Sequence, residues 1–189
     1  ALPILINSGV YFHFESIAQE MGLSSPRLIQ IFLFVSITTV ILSFLWGPKI
    51  SQFSIKTLLL FMAADQFFYL LTFPHLGCLF GTLAHILLGG IGWALFGFLI
   101  NIAWPRLYGL GTLDLTVGIS LSFTILTNAL SPLLYAIVKS IFGSYRSIFY
   151  GWEIPVTLLY FSLARRSFNP FHEEKKDSRP LPISKTTSP

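Results

Sequence analysis

The sequence predicts an all-α membrane protein of six transmembrane helices, and three observations carry that expectation. Six long apolar blocks occupy residues 2–18, 28–47, 57–73, 76–104, 113–138 and 148–164, separated by short charged joints. A bilayer core about 30 Å thick needs roughly 20 helical residues to cross it, which is the scale of each block. The composition is 53% hydrophobic and only 11% charged, with a mean hydropathy of +0.72, outside the soluble globular range. Backbone polar groups in lipid are satisfied only in helices or closed barrels, and unbroken runs of this length lack the alternation of barrel strands. The expected organisation is a six-helix bundle over residues 1–166 and a disordered cytoplasmic tail over 167–189.

Taken in order, the first block starts at Ala1 with no charged segment before it and no small-residue cleavage site after it. It reads as a helix of a longer protein rather than a signal peptide. The joints then set the threading. With the first helix running outward, the inner joints hold Lys49, Lys56 and Arg106, and the C-terminal end holds Arg165, Arg166, Lys175, Lys176, Arg179 and Lys185. The outer joints hold only Arg27, Lys139 and Arg146, so nine of the twelve cations lie inside. Both termini are expected in the cytoplasm, in a plasma or inner membrane. The net charge of +4 follows from this topology and is no sign of nucleic-acid binding.

In the fourth block, Gly77, Gly81, Gly89, Gly90, Gly92 and Gly97 offer small faces where helices approach closely. Pro132 and Pro155 are expected to kink the fifth and sixth. The tail has four prolines and the run Glu173-Glu174-Lys175-Lys176-Asp177, with too few apolar residues to pack. Cys78 is the single cysteine, so no intrachain disulfide forms.

Three stretches carry a family resemblance. Residues 8–23, with Gly9, Tyr11, Phe12, His13, Phe14 and Glu15 ahead of Met21, Gly22 and Leu23, resemble the seventh helix of major facilitator superfamily transporters. The similarity is to their monocarboxylate and oxalate–formate antiporter-like branch. Trp104-Pro105-Arg106-Leu107-Tyr108-Gly109 resembles the cytoplasmic end of that branch's tenth helix. Asn128-Ala129-Leu130-Ser131-Pro132-Leu133-Leu134-Tyr135, followed by Gly143-Ser144-Tyr145-Arg146, is similar to its eleventh helix and outer loop. The resemblance implies the C-terminal six-helix half of such a transporter. The joint after the second block departs from the family's Gly-x-x-x-Asp-Arg gate, having Ser51 and Gln52 at the Asp and Arg positions. Leu110, Gly111 and Val117 likewise stand where the family has basic residues.

Ionisable groups inside lipid are costly and mark pairs or pathways. Glu15 shares one helical face with Ser8, Tyr11 and Gln19, at spacings of three and four residues. The resemblance implies that this helix lines a central cavity. His13 lies about 200° round the helix from Glu15, at 100° per residue. The substrate or proton candidates are Tyr11, His13, Glu15, His85, Asn101 and Asn128. Asp65 and Glu153 are expected to be structural, Asp65 pairing with His85 across the third and fourth helices and Glu153 sitting near an interface beside Trp152.

No His-x-x-x-His or Cys/His cluster exists, so neither a metal nor another cofactor is expected. No nucleophile–base pair or phosphate loop argues for an enzyme. No Lys or Arg lies inside any block to neutralise an anionic substrate. The expected function is that half of a secondary transporter, moving a small-molecule substrate by alternating access, with proton coupling as one mode. Its partners are the lipid bilayer and an N-terminal six-helix half, whether in the same longer chain, a separate subunit or a second copy. The alternative is a non-transporting membrane protein of the same fold, a receptor or assembly factor, which the altered gate permits.

Overall fold

The computed structural model describes residues 2–109, 111 and 113–165, the side chain of Leu2 excepted. The expected tail over 167–189 lies outside them. The described residues form seven α-helices and one 3-10 turn: α1 (Leu2–Phe12), α2 (Phe14–Glu20), α3 (Ser25–Ile50), α4 (Ile55–Thr72), the turn Phe73–His75, α5 (Leu79–Tyr108), α6 (Leu113–Phe142) and α7 (Arg146–Arg165). The chain is thus an all-α membrane protein. Four segments, Ser25–Ile50, Ile55–His75, Leu79–Tyr108 and Leu113–Phe142, are long and apolar enough to cross a bilayer.

The two remaining blocks differ from the simple expectation for physical reasons. The first is interrupted at His13, whose φ of −97° and ψ of 19° fall outside helical geometry, leaving pieces of 11 and 7 residues. Bonds from His13 N to Gly9 O (3.0 Å) and Ile17 N to His13 O (2.9 Å) carry the chain through the break. The last block forms a helix of 20 residues, but Arg146, Glu153 and Arg165 dilute its apolar run. Helices α6 and α7 continue through Pro132 and Pro155.

Helix starts follow local chemistry. Ser54 caps α4 by accepting from Thr57 N at 3.1 Å. The Cys78 thiol caps α5, accepting from Gly81 N at 3.3 Å while donating to His75 O at 3.2 Å. Gly22, Gly109 and Gly143, with φ near +70°, turn the chain after α2, α5 and α6.

The main pairings are α3 with α5, α4 with α5, α1 with α6, and α4 with α7. Short joints put the end of α2, the 3-10 turn and the α6–α7 corner at one end of the bundle. That end holds the larger core, including Ile6, Ile17, Leu70, Phe73, Tyr135 and Phe149, with Phe73 and Phe149 stacked at 4.2 Å. A smaller core of Ile50, Ile55, Leu58, Leu95 and Leu99 closes the other. Helix α4 is the hub, with 44% of its most apolar window buried, against 11% for α6.

Glycine allows the close approaches. A Cβ on Gly9 would run into the Tyr135 ring and the Ser131 hydroxyl, and one on Gly90 would strike Thr38. Gly97, by contrast, faces open space. The Arg106 guanidinium donates to the carbonyls of Ser51 (2.6 Å) and Phe53 (3.2 Å), bracing the α3–α4 joint. Lys56 likewise donates to Ala164 O at 3.3 Å, near the C-terminal end of α7. Cations at these positions suit the negative ends of α3 and α7.

Candidate functional site

Three polar groupings emerge, and they divide the residues singled out from the sequence. The first is a face on α1 and α2. Tyr11, Glu15 and Gln19 are all exposed, left uncovered by this chain, as are their neighbours Phe12 and Ser16. At its edge Ser8 donates to Asn128 Oδ1, joining α1 to α6. Two further bonds hold the same seam: Ser131 to the Leu5 carbonyl, and Tyr135 to the Ile6 carbonyl at 2.9 Å. Asn101 stands apart, donating to Gly97 O of its own helix at 2.8 Å.

The second grouping is a clasp at the end of α2. Glu20 accepts from Lys139 Nζ (2.5 Å), Ser144 Oγ (2.5 Å) and the backbone nitrogens of Tyr145 (2.9 and 3.1 Å) and Arg146 (3.4 Å). A carboxylate borrowed from α2 therefore caps α7, where free N–H groups and the helix dipole favour negative charge. Burial pushes the Glu20 carboxyl up, but the bonds from Lys139, Ser144, Tyr145 and Arg146 outweigh it and lower it from 4.5 to about 2. Lys139 also lies 4.5 Å over the Tyr145 ring.

His13 completes the clasp. Its Nε2 meets Pro132 O at 3.0 Å and its Nδ1 meets the Tyr145 hydroxyl at 3.2 Å. A carbonyl can only accept, so Nε2 carries a proton, and in the neutral ring Nδ1 accepts from Tyr145. The histidine therefore ties the break in the first block to α6 and α7.

The third grouping lies inside the bundle, on one face of α4. Asp65, Gln66, Tyr69 and Thr72 are all buried, at helical spacings that keep them together. His85 comes from α5 and is wholly buried. Thr72 Oγ1 donates to Tyr69 O at 2.6 Å, so it accepts from His85 Nδ1 at 2.7 Å. The imidazole stacks on Tyr69 at 4.5 Å and meets Phe73 edge-on at 4.6 Å.

The expected Asp65–His85 pair does not form. His85 lies level with Thr72, whereas Asp65 faces Gly92, and seven residues along either helix amount to about 10 Å. Asp65 Oδ1, Gln66 Nε2, Tyr69 OH and His85 Nε2 are all covered and have no hydrogen-bond partner among the described residues. Glu153 Oε1 on α7 is in the same state. A cavity of about 10 Å³ lies against Asn7, Asp65, Gln66, Tyr69, Gly92 and Trp93. Among the described residues no three His, Cys, Asp or Glu side chains meet as a metal site would need.

Sequence reasoning missed Glu20, Lys139 and Ser144, which meet across more than 100 residues of chain. It also passed over Gln66, Tyr69 and Thr72, although their spacing from Asp65 was a usable signal. No family model matches the chain, and neither a curated protein nor a solved structure matches it either.

Proposed function

We propose that this chain is the C-terminal six-helix half of a major facilitator-type secondary transporter, moving a small solute by alternating access. The observation that carries this reading is the pattern of helix pairing. Taking α1 and α2 as one interrupted crossing gives six crossings, of which the first pairs with the fifth, the second with the fourth and the third with the sixth. Exchanging the first three crossings for the last three leaves those three pairings unchanged. That is the signature of two inverted three-helix repeats, the plan on which such transporter halves are built. The pairing of α4 with α5 has no equally strong counterpart between α7 and α1 and is the exception.

The break at His13 supports the same reading, since binding sites in these transporters sit at discontinuous helices. The uncovered side with Tyr11, Glu15 and Gln19, bordered by Ser8 and Asn128, is the wall a second six-helix bundle would complete. One observation favours the receptor or assembly-factor alternative. Arg106 bonds the carbonyls of Ser51 and Phe53, in the joint where the family's gate has a carboxylate, so this end is braced without a charge pair to open.

Thiol labelling in native membranes separates the two readings. In a Cys78→Ser background, cysteines at Tyr11, Glu15 and Gln19 should react with a water-soluble maleimide. Cysteines at the equally exposed apolar positions Ile41 and Phe123 should not. If all five are inert, the uncovered face meets lipid and the transporter reading fails. Orientation is read on the same footing: the exposed Cys78 should label from outside intact cells, and a cysteine at Ser178 only after the cells are opened.

A further inference from the structure

We infer that the polar cluster where α1, α4 and α5 meet is a proton-binding site, in which Asp65 holds a proton. The lining is polar where it counts. Asp65, Gln66 and Tyr69 are 8%, 8% and 4% exposed, and each has a covered polar atom with no hydrogen-bond partner among the described residues. Gly92 is the notch that admits the other carboxyl oxygen, since a Cβ there would strike Asp65 Oδ2.

Charge selects the occupant. No Lys or Arg lines the cavity, and the ion pair between side chains among the described residues, Lys139 with Glu20, lies at the end of the bundle. An uncompensated carboxylate in this setting is strongly unfavourable, so one positive charge must join it. A metal cation asks for a shell of roughly six or more oxygen ligands, and the space beside Asp65, about 10 Å³, has no room for an ion with its own waters. A proton fits. Loading transfers it from hydronium to a carboxylate oxygen and leaves a water behind, with no other bond made or broken.

The neighbouring helices add no competing charge. Helix α1 presents Asn7, and α5 presents glycines and aromatic rings; the α5 histidine, His85, stacks on Tyr69 at 4.5 Å and bonds Thr72, two turns from Asp65. Within α4, Tyr69 is the other titratable lining group, and Glu153 of α7 is not in the lining. The site lies within this chain and does not depend on the transporter reading.

Infrared spectroscopy of the full chain in lipid nanodiscs at neutral pH, with and without sodium, is the test. We expect a protonated-carboxyl stretch that moves when aspartate is carbon-13 labelled, stays put when glutamate is labelled, ignores sodium, and is lost entirely in Asp65→Asn. Gly92→Ala should shift its frequency, because the added methyl displaces Oδ2. The site is overturned if no aspartate-sensitive band exists, if the band survives Asp65→Asn, or if it appears only when sodium is withdrawn, which would mean a metal-cation site. Isotope labelling needs no substitution, so a variant that fails to fold leaves the test intact. Uptake is not measured, so failure here is distinct from failure of the transporter reading.

Discussion

The clasp around Glu20 and the cluster around Asp65 each hold one buried or half-buried carboxyl, yet they are built in opposite ways. Glu20 is met by two side-chain donors and two backbone N–H groups, and Asp65 Oδ1 by none. A saturated carboxylate is a structural element, because its charge is already spoken for by the fold. A carboxyl left short of partners in lipid costs free energy that only an occupant can offset. The difference teaches where to look for function: in the cluster the fold leaves incomplete, rather than in the one with the most hydrogen bonds.

The clasp should show the largest effect. Removing the carboxylate by Glu20→Ala strands Lys139 and the first N–H groups of α7, and should cost about 3 kcal/mol in unfolding from mixed micelles. The pH dependence follows from the sign of the shift. Glu20 is held from 4.5 down to about 2, so its contribution is full above about pH 4.5 and is lost as the pH falls toward 2. Wild type should weaken over that window, and Glu20→Ala should lose that slope.

Packing beneath the clasp comes next. Gly9→Ala should cost about 2 kcal/mol, since the Cβ meets the Tyr135 ring and the Ser131 hydroxyl. Gly97→Ala should be neutral or stabilising by up to about 1 kcal/mol, because its Cβ meets open space. Equal effects at both would show that the α1–α6 seam is looser than described. At the far end, Arg106→Ala should cost about 1 kcal/mol by freeing the Ser51 and Phe53 carbonyls.

The smallest effect is spectroscopic. His13 carries its proton on Nε2, and His85 bears one on Nδ1, so nitrogen-15 spectra of the neutral rings should show opposite tautomers. Matching tautomers would contradict the bonds assigned to Pro132 and Thr72.

Much of the fold was legible because it rests on length and polarity alone. Each of the six apolar blocks contains helix, and Tyr11, Glu15 and Gln19 are all exposed. The break at His13 was not legible, because the prolines at 132 and 155 were the stronger local signals, while neighbouring helices provide the bonds that hold His13. Register between helices was the other limit. Placing Asp65 opposite His85 assumed a depth for the start of α5, and the cap at Cys78 together with the Gly92 notch sets it two turns away. The Glu20–Lys139 pair joins residues 119 apart in sequence, and nothing in either local pattern announces the other.

The most direct test makes one chemical change, carboxylate to amide, at both sites and compares unfolding free energies at neutral pH in the same lipid. Glu20→Gln sets an amide against Lys139 and should lose about 2–3 kcal/mol. Asp65→Asn exchanges one neutral group for another of the same shape and should stay within about 0.5 kcal/mol of wild type. Equal losses at the two positions, or a larger loss at Asp65, would contradict the account, because Asp65 would then be a structural charge like Glu20.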